Sequence, residues 1–222
     1  MQTSFIENVQ AKLDDVKAGQ VPIQLSLQDD SGNNVGVMRP LTAHYLEQID
    51  VMAKLTDWRN AYMDNFLTHF VATPQRTRSW VENVLLRAEG QMLWLVYDQN
   101  EILVGHIGFK NLTMNSVLLD NAIRGERQGH PRLFIYAGKA LVHWLWKTTS
   151  VQRIEGVILA ENVSAIFMNR QIGFVGWKRR PLIKRIHESN TYWDMAEEGQ
   201  ISPDGRYCFT VWIERTSNNS CA

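Results

Sequence analysis

The residues whose types and spacing could do chemistry form one loop near the middle of the chain. The loop runs from Arg124 to Pro131 with the sequence RGERQGHP, follows a strand-like run, and precedes a helical apolar pattern that begins at Leu133. This order of elements is typical of an anion site, because the unpaired N–H groups of a first helical turn and the helix dipole both favour a phosphate. We expect Pro131 at the first helical position, where it removes no useful donor. The loop alone is also compatible with an ordinary structural turn.

The loop must be positioned by a sheet, and eight runs rich in apolar, β-branched and aromatic residues predict its strands. The polar turn from Asp29 to Asn34 joins two of the runs as a hairpin. A tight polar turn from Asp98 to Glu101 joins two more as an antiparallel pair. The predicted strands are Val21 to Leu27, Val35 to Leu41, Met92 to Tyr97, Ile102 to Phe109, Ser116 to Ile123, Arg153 to Leu159, Phe174 to Ile186 and Tyr207 to Glu214, the last two joined by a long loop.

Apolar residues at helical spacing predict the helices that flank these strands. Asn162 is well placed as the N-cap of the last helix, and Gly173 can take the left-handed position that ends it. One face of the helix after Pro74 is predicted to consist of Trp80, Val84, Leu85 and Ala88. The predicted helices are residues 1–19, Thr42 to Ala53, Pro74 to Gly90, a buried amphipathic helix from Leu133, and Val163 to Ile172.

Composition argues against several classes of protein. The 222 residues include 23 Lys and Arg and 23 Asp and Glu, so no net field concentrates nucleic acid or an anionic membrane surface at the protein. The two cysteines, Cys208 and Cys221, indicate neither a disulfide scaffold nor a metal cluster and are typical of a reducing compartment. No signal peptide or membrane-spanning run is predicted. We therefore expect a cytoplasmic protein with no metal, no nucleic-acid partner and no membrane association.

The chain shows no obvious seam between domains, and we expect one domain that folds alone as a monomer or homodimer. Forty-five per cent of its residues are hydrophobic, which is ample material for a core. Residues 1–33 are predicted to form an N-terminal extension, a helix plus the first hairpin strand. Residues 34–215 are predicted to form the domain, and residues 216–222 a polar tail.

Three segments, in their order and spacing, resemble the GNAT superfamily of acyl-CoA N-acyltransferases. They are ILVGHIGF from Ile102 to Phe109, LLDNAIRG from Leu118 to Gly125 with the loop and helix that follow it, and NVSAIFMNRQIGF from Asn162 to Phe174. The resemblance covers about Val35 to Phe174. It implies an α+β, three-layer (α/β) fold with a mixed, mostly antiparallel central sheet and flanking helices. The fourth and fifth strands of that sheet, here Ser116 to Ile123 and Arg153 to Leu159, are expected to splay apart and admit pantetheine.

The resemblance also implies which residues bind acetyl-CoA, the expected co-substrate. The pantetheine amides are expected on the backbone at the end of the fourth strand, at Ala122, Ile123 and Arg124. The pyrophosphate is expected on the loop backbone, at Arg127, Gln128, Gly129, His130, Pro131, Arg132 and Leu133. Asn162, at the head of the next helix, is expected to contact the cofactor through its side chain, and Phe167 is a further cofactor-binding candidate.

The loop departs from the family's pattern at both ends. The family usually has Arg or Gln first and Gly or Ala last, where this chain has Glu126 and Pro131. A carboxylate would repel a diphosphate, so we expect Glu126 to point away from it, with Arg127, His130 and Arg132 as compensating donors. A proline removes one N–H from the cradle, so we expect one phosphate contact to be lost or to be supplied by Arg132.

Chemistry in the family is direct attack of an amine on the thioester, which requires removal of a proton and stabilisation of the oxyanion and the thiolate. The resemblance makes Asp120 and Glu126 the candidate bases. Asp120 could equally order a turn or pair with an arginine. His106 is a further candidate, although a histidine after glycine on a strand is typical of a polar spacer.

The tyrosine that commonly protonates the leaving thiolate in the family falls at Asn169 in this chain. Asn169 could donate a hydrogen bond, Tyr136 or Tyr192 could serve instead, or the thiolate could leave unassisted. The sequence therefore predicts an N-acetyltransferase that acts on a primary amine: a small amine, an amino sugar carried on a nucleotide, or a protein N-terminus. The alternative is a non-catalytic acyl-CoA binding or regulatory domain.

Two features of the C-terminal part could bear on the acceptor. A basic run at residues 178–185 could grip a phosphorylated acceptor, and a solvated strand face is the ordinary alternative. Three tryptophans could line an acceptor pocket, and burial in the core is their ordinary alternative; they are Trp177, Trp193 and Trp212.

Overall fold

The computed structural model describes residues 2–188, 190–197 and 199–216, with side chains from residue 8 onward. Cys221 and nearly all of the tail predicted for residues 216–222 lie outside the described residues. The helices are α1 Gln2–Lys17, α2 Ile49–Ala61, α3 Pro74–Trp80, α4 Leu133–Thr148 and α5 Val163–Ile172. Short 3₁₀ turns occupy Ala43–Glu47 and Met63–Asn65, and a π-helical turn, Val81–Leu85, prolongs α3.

The described strands form one ten-stranded sheet in the order β1-β2-β4-β5-β6-β7-β10-β8-β9-β3. They are β1 Leu25–Gln28, β2 Asn34–Pro40, β3 Thr68–His69, β4 Met92–Asp98, β5 Leu103–Lys110, β6 Ser116–Arg124, β7 Arg153–Leu159, β8 Gly176–His187, β9 Asn190–Met195 and β10 Tyr207–Glu214. Among these strands only β6 and β7 pair in parallel, and the other neighbours are antiparallel. The fold class predicted from the sequence is confirmed.

Helices cover both faces of the sheet and create three layers. On one face α1, α4 and α5 join a core cluster through residues such as Leu13, Leu141 and Ile172. On the other face α2 and the π-helical turn join a second cluster through Leu55 and Val81. Apolar stripes on both sets of helices are thus buried against the same sheet, and burying each large side chain contributes about 1.5–3 kcal/mol.

The residues of strand β4 are apolar at nearly every position because helices cover both faces of the sheet. Trp94 and Val96 belong to the first cluster, whereas Leu93 and Leu95 belong to the second. Successive side chains of a strand point to opposite faces, so a strand covered on both sides must be apolar at every position. The continuous apolar run of β4 therefore marks it as a central strand, and its predicted antiparallel pairing with β5 is confirmed.

The α5 helix also has the ends that the sequence predicts. The Oδ1 atom of Asn162 accepts a hydrogen bond from the N–H of Ala165 at 3.0 Å, which makes Asn162 the N-cap. Gly173 ends the helix in the left-handed region, with φ at 119°. The prediction for α4 was wrong in one respect, because the helix begins at Leu133 and Pro131 lies in a turn before it.

Three further elements differ from the sequence-based expectation. The second helix is Ile49–Ala61, later than the predicted Thr42 to Ala53, because residues before it form a 3₁₀ turn. The helix that begins at Pro74 buries Thr77, Val81 and Leu85, because the π-helical turn that prolongs it shifts its buried face. Val84, which was predicted to lie on that face, is exposed. The stretch predicted as a loop after β8 contains β9, which pairs with β8 and β3.

None of the helices in the described part of the chain is long and apolar enough to cross a membrane.

Candidate active site

A cleft opens in the sheet where β6 and β7 separate. Their parallel ladder begins with Ser116 and Arg153 and ends with Leu119 and Gly156. Residues 120–124 of β6 continue beyond that point without a partner on the β7 side. A cavity of about 1420 Å³ lies at this opening and is lined by both strand ends, the start of α5 and parts of α2 and α3. This opening is the splay that the family resemblance implies.

His106 lies on β5 at the wall of the cavity, beside a bulge in β6. Two residues of β6, Asn121 and Ala122, oppose the single residue Ile107 of β5, and Asn121 has a φ of 52°. The Asn121 carbonyl accepts a hydrogen bond from His106 Nδ1 at 2.7 Å. This bond assigns the proton of the neutral ring to Nδ1 and leaves Nε2 as an acceptor. No described residue donates to Nε2.

Burial lowers the pKa of His106 to about 4. The Asn121 carbonyl and the charge of Asp120 act in the opposite direction, and the charge of Arg59 adds to the lowering. The side chain is only 5% exposed, and it lines the cavity. The imidazole is therefore neutral near pH 7, and its Nε2 lone pair is available to accept a proton.

The loop between β6 and α4 is organised by the side chain of Arg124. The guanidinium donates hydrogen bonds to four loop carbonyls, those of Glu126 (3.2 Å), Arg127 (3.2 Å), Gln128 (3.0 Å) and Pro131 (2.7 Å). Because a trans peptide unit is planar, the N–H of the next residue points away from each carbonyl. The N–H groups of Arg127, Gln128 and Gly129 therefore face away from Arg124. They make no hydrogen bond within the described chain, so they form a cradle for an anion.

Gly129 is required by the loop itself. Its φ is 78°, in the left-handed region that glycine adopts most readily. A Cβ at this position would lie 2.7 Å from the Cβ of Asp98, which is closer than two carbon atoms can approach. The fold of the turn therefore requires this glycine, whether or not an anion is bound.

Hydrogen bonds to His130 leave the loop with fewer free N–H groups than expected for residues 127–133. Its Nδ1 accepts a hydrogen bond from the N–H of Arg132 at 3.1 Å, and its carbonyl accepts from the N–H of Leu133 at 3.0 Å. Pro131 has no N–H. Among residues 130–133, only the N–H of His130 makes no hydrogen bond within the described chain, so most donors left for a phosphate lie on the β6 side of the loop.

The predicted CoA-binding residues fall into two groups. Those that line the cavity are Ala122, Ile123, Arg124, Arg127, Pro131, Arg132, Asn162 and Phe167. The other four, Gln128, Gly129, His130 and Leu133, do not line it, and Leu133 is fully buried in the core beneath the loop. Arg132 forms an ion pair of 2.6 Å with Asp30 in the β1–β2 hairpin, so part of its charge is already neutralised.

Both predicted catalytic carboxylates line the cavity and have basic partners. The Oδ2 atom of Asp120 lies 2.9 Å from Lys110 Nζ, so its partner is a lysine and not the arginine considered in its alternative role. The Oε1 atom of Glu126 lies 3.2 Å from Lys54 Nζ and 3.3 Å from Trp58 Nε1. Glu126 is thus held against α2.

Asn169 is buried, and its Nδ2 donates a hydrogen bond to the Ala165 carbonyl at 2.9 Å. One of its two amide protons is therefore used within α5. The two tyrosines considered as alternative acids differ in position: Tyr192 lines the cavity, whereas Tyr136 does not and its hydroxyl donates to Asp30. The three tryptophans considered for the acceptor pocket, Trp177, Trp193 and Trp212, do not line this cavity.

A segment from Tyr62 to Thr73, for which the sequence predicts no element, forms a further wall of the cavity. Two arginines donate hydrogen bonds to its backbone: Arg59 Nη2 to the Thr68 carbonyl (2.6 Å) and Arg206 to the Asp64 carbonyl (3.3 Å). The side-chain amide of Asn60 bonds both the N–H and the carbonyl of Ala72 (2.8 and 3.0 Å). The pairing of β3 with β9 adds a further anchor. Arg59 stacks on Phe66 and Phe70, and Arg76 stacks on Phe70. No sequence motif marks these residues, because their contacts follow no helical or strand period.

A sheet that opens between its parallel neighbours, next to a glycine-containing anion loop at the head of a helix, defines the site of an acyl-CoA-dependent acyltransferase. Residues 37–175 match the family model of the acetyltransferase (GNAT) domain, and the chain belongs to the GNAT acetyltransferase family. No curated protein matches the chain.

Solved structures of GNAT proteins have the same fold at low sequence identity. RimJ of Mycobacterium smegmatis, in complex with a CoA disulfide, has a TM-score of 0.60 at 14% identity and covers 87% of this chain and 88% of its own. An acetyltransferase of Salmonella typhimurium that modifies the N-terminal serine of a ribosomal protein has a TM-score of 0.58 at 12% identity, covering 82% and 96%. FdhC, a nucleotide-linked sugar GNAT, has a TM-score of 0.58 at 10% identity, covering 87% and 91%.

Proposed function

We propose that the protein is an N-acetyltransferase that moves the acetyl group of acetyl-CoA to a primary amine by direct attack on the thioester. The observation that carries the proposal is the Arg124-organised loop at the end of the unpaired β6 edge. Three outward N–H groups can hold the diphosphate, and the free backbone edge of residues 120–124 can bond the pantetheine amides. The acyl group would then lie in the cleft between β6 and β7.

His106 is the residue that we assign as general base, in place of Asp120 or Glu126. Its Nε2 atom accepts no hydrogen bond from a described residue, whereas each carboxylate already has a basic partner. Attack of the neutral amine on the thioester carbon makes the amine nitrogen cationic and therefore acidic, so a weak base can remove its proton. The new C–N bond forms, the C–S bond breaks, and the thiolate leaves with the bonding electrons. His106 then returns the proton to the sulfur, either directly or through water.

The acceptor is proposed to enter from the side of the cavity formed by α2, α3 and the Tyr62–Thr73 segment. The relatives of similar fold support two acceptor types, a protein N-terminus and a nucleotide-linked amino sugar. The cavity is large enough for a pantetheine arm and a second substrate, since typical small-molecule sites occupy about 300–1,000 Å³.

The experiment that tests this proposal follows free thiol release from acetyl-CoA in the presence of a panel of primary amines. Turnover with any amine supports acetyl transfer, whereas tight CoA binding without turnover across the panel would favour a binding or regulatory domain. With a responsive amine, His106→Gln is expected to lower kcat/KM by about 10²- to 10⁴-fold, the usual contribution of a general base. Asp120→Asn and Glu126→Gln serve as matched variants, and a larger loss in either would move the base assignment to that carboxylate.

A further inference from the structure

The cavity wall carries positive charge that has no acidic counterpart. Each acidic side chain on the wall is paired with a basic residue: Asp120 with Lys110, Glu126 with Lys54 and Glu161 with Arg206. Among the described residues, four arginines line the same cavity and form no ion pair within 4 Å: Arg59, Arg76, Arg124 and Arg127. Arg124 and Arg127 belong to the anion loop, and the other two arginines lie together at the Tyr62–Thr73 segment.

Arg59 and Arg76 share one aromatic ring. The guanidinium carbon of Arg59 lies 4.8 Å from the ring centroid of Phe70, and that of Arg76 lies 3.9 Å from it. Burial lowers the pKa of Arg59 to about 10, the neighbouring charge of Arg76 adds to the effect, and the charge of Asp120 acts in the opposite direction. Two like charges held at one ring repel each other, and an anion bound beside them would reduce that repulsion.

Arg59 also has an unused buried donor. Its Nη2 bonds the Thr68 carbonyl at 2.6 Å, whereas its Nη1 is buried and has no hydrogen-bond partner in the described structure. A buried polar group without a partner costs free energy, and a charged donor costs more than a neutral one. Phe66, on which Arg59 also stacks, keeps the guanidinium in place against the segment.

We propose that Arg59 and Arg76 bind an anionic group of the acceptor, a carboxylate or a phosphate, so that the substrate is an amine that carries negative charge. The inference rests on the proposed function and names its substrate class. Guanidinium groups bind both anions through paired N–H donors. The same chemistry is offered by an amino sugar phosphate and by a peptide with an acidic residue near its N-terminus.

The test compares two matched pairs of acceptors: an amino sugar with and without a phosphate monoester, and a peptide with aspartate or asparagine at its second position. We expect kcat/KM for the charged member of at least one pair to be about tenfold higher, equal to about 1.4 kcal/mol. Arg76→Gln should abolish the preference by lowering kcat/KM for the charged member more than for the neutral member, since this exposed side chain makes no hydrogen bond within the described chain. Arg87→Gln, which removes an exposed arginine outside the cavity, is the control.

The pair that responds identifies the source of the anion. Equal kcat/KM within both pairs, or an equal loss for both members in Arg76→Gln, overturns the proposal. If none of the four acceptors releases thiol, the proposed acetyl transfer fails on this panel, and calorimetric binding of the same compounds to the CoA-saturated protein decides the anion site separately. Tighter binding of the charged members that is lost in Arg76→Gln supports the site, and equal binding of charged and neutral members overturns it.

Discussion

The buried imidazole of His106 predicts a specific loss of stability in acid. The native pKa, about 4, is below the ordinary value of 6.5 that applies in the unfolded chain. Above pH 6.5 the ring is neutral in both states and no proton uptake opposes folding. As the pH falls below 6.5, the unfolded chain binds a proton that the native protein excludes, so stability falls. Below about pH 4 both states bind the proton and the loss stops growing.

The magnitude follows from the distance between the two pKa values. Each pH unit between them costs about 1.36 kcal/mol, so the interval from 6.5 to about 4 corresponds to about 3 kcal/mol. Because the side chain is only 5% exposed, solvent screening does not reduce this value greatly. A glutamine at this position can still donate to the Asn121 carbonyl, and it has no proton to gain in this range.

The assay is urea unfolding of the wild type and His106→Gln at pH 7, 6, 5 and 4. His106→Gln is expected to be less stable at pH 7 through lost packing, and this deficit should shrink by about 3 kcal/mol by pH 4. Carboxylates distant from position 106 affect both proteins alike and cancel in the difference. His143→Gln, at an exposed position on α4, controls for the loss of an imidazole as such. Parallel pH profiles for the wild type and His106→Gln would refute a neutral, buried His106.

Three further outcomes test the loop and the helix beside it. Arg124→Met should raise the Kd for CoA about tenfold or more by calorimetry, because the four loop carbonyls lose their donor; an unchanged Kd would remove Arg124 from the cradle, and Arg87→Met, at an exposed position outside the cavity, is the control. Gly129→Ala should lower the free energy of unfolding by about 1–2 kcal/mol even without CoA, because its backbone is left-handed; full stability in urea would contradict this. Asn162→Ala should cost about 1 kcal/mol of stability as a lost N-cap, which Asn162→Asp should retain; equal losses in both variants would contradict the capping role.

The local elements of this protein are readable from the sequence because their determinants lie close together along the chain. Alternating and continuous apolar runs identify β4 and β5, and the polar turn between them sets their antiparallel pairing. Asn162 and Gly173 bound α5 because capping depends on neighbours within one helical turn. The order of these segments, with the glycine-containing loop, resembles the GNAT superfamily, and this resemblance predicted the fold and acetyl-CoA as co-substrate.

The boundary of α4 shows where local reasoning fails. A proline is favoured at the first position of a helix, yet Pro131 lies in a turn that ends before Leu133. The carbonyl of Pro131 is bonded by Arg124, and the N–H of Arg132 is bonded by the His130 ring. Side chains, which no propensity describes, thus decide which backbone donors of the loop remain free.

The sequence by itself determined most local elements, because each depends on hydrophobic period, turns and caps within a short stretch of chain. Its resemblance to the GNAT superfamily added the fold and the segment predicted to bind an anion. Only the tertiary structure decided which side chains can act in the cavity. His106 has the pattern of a polar spacer, and it becomes a neutral base candidate because two layers of the protein bury it and a bulge of β6 supplies a carbonyl to its Nδ1. Asp120 has the pattern of a base, and Lys110 on the neighbouring strand pairs with it. Arg59 and Arg76 carry no motif, because desolvation and the balance of charges are properties of residues brought together from distant parts of the chain.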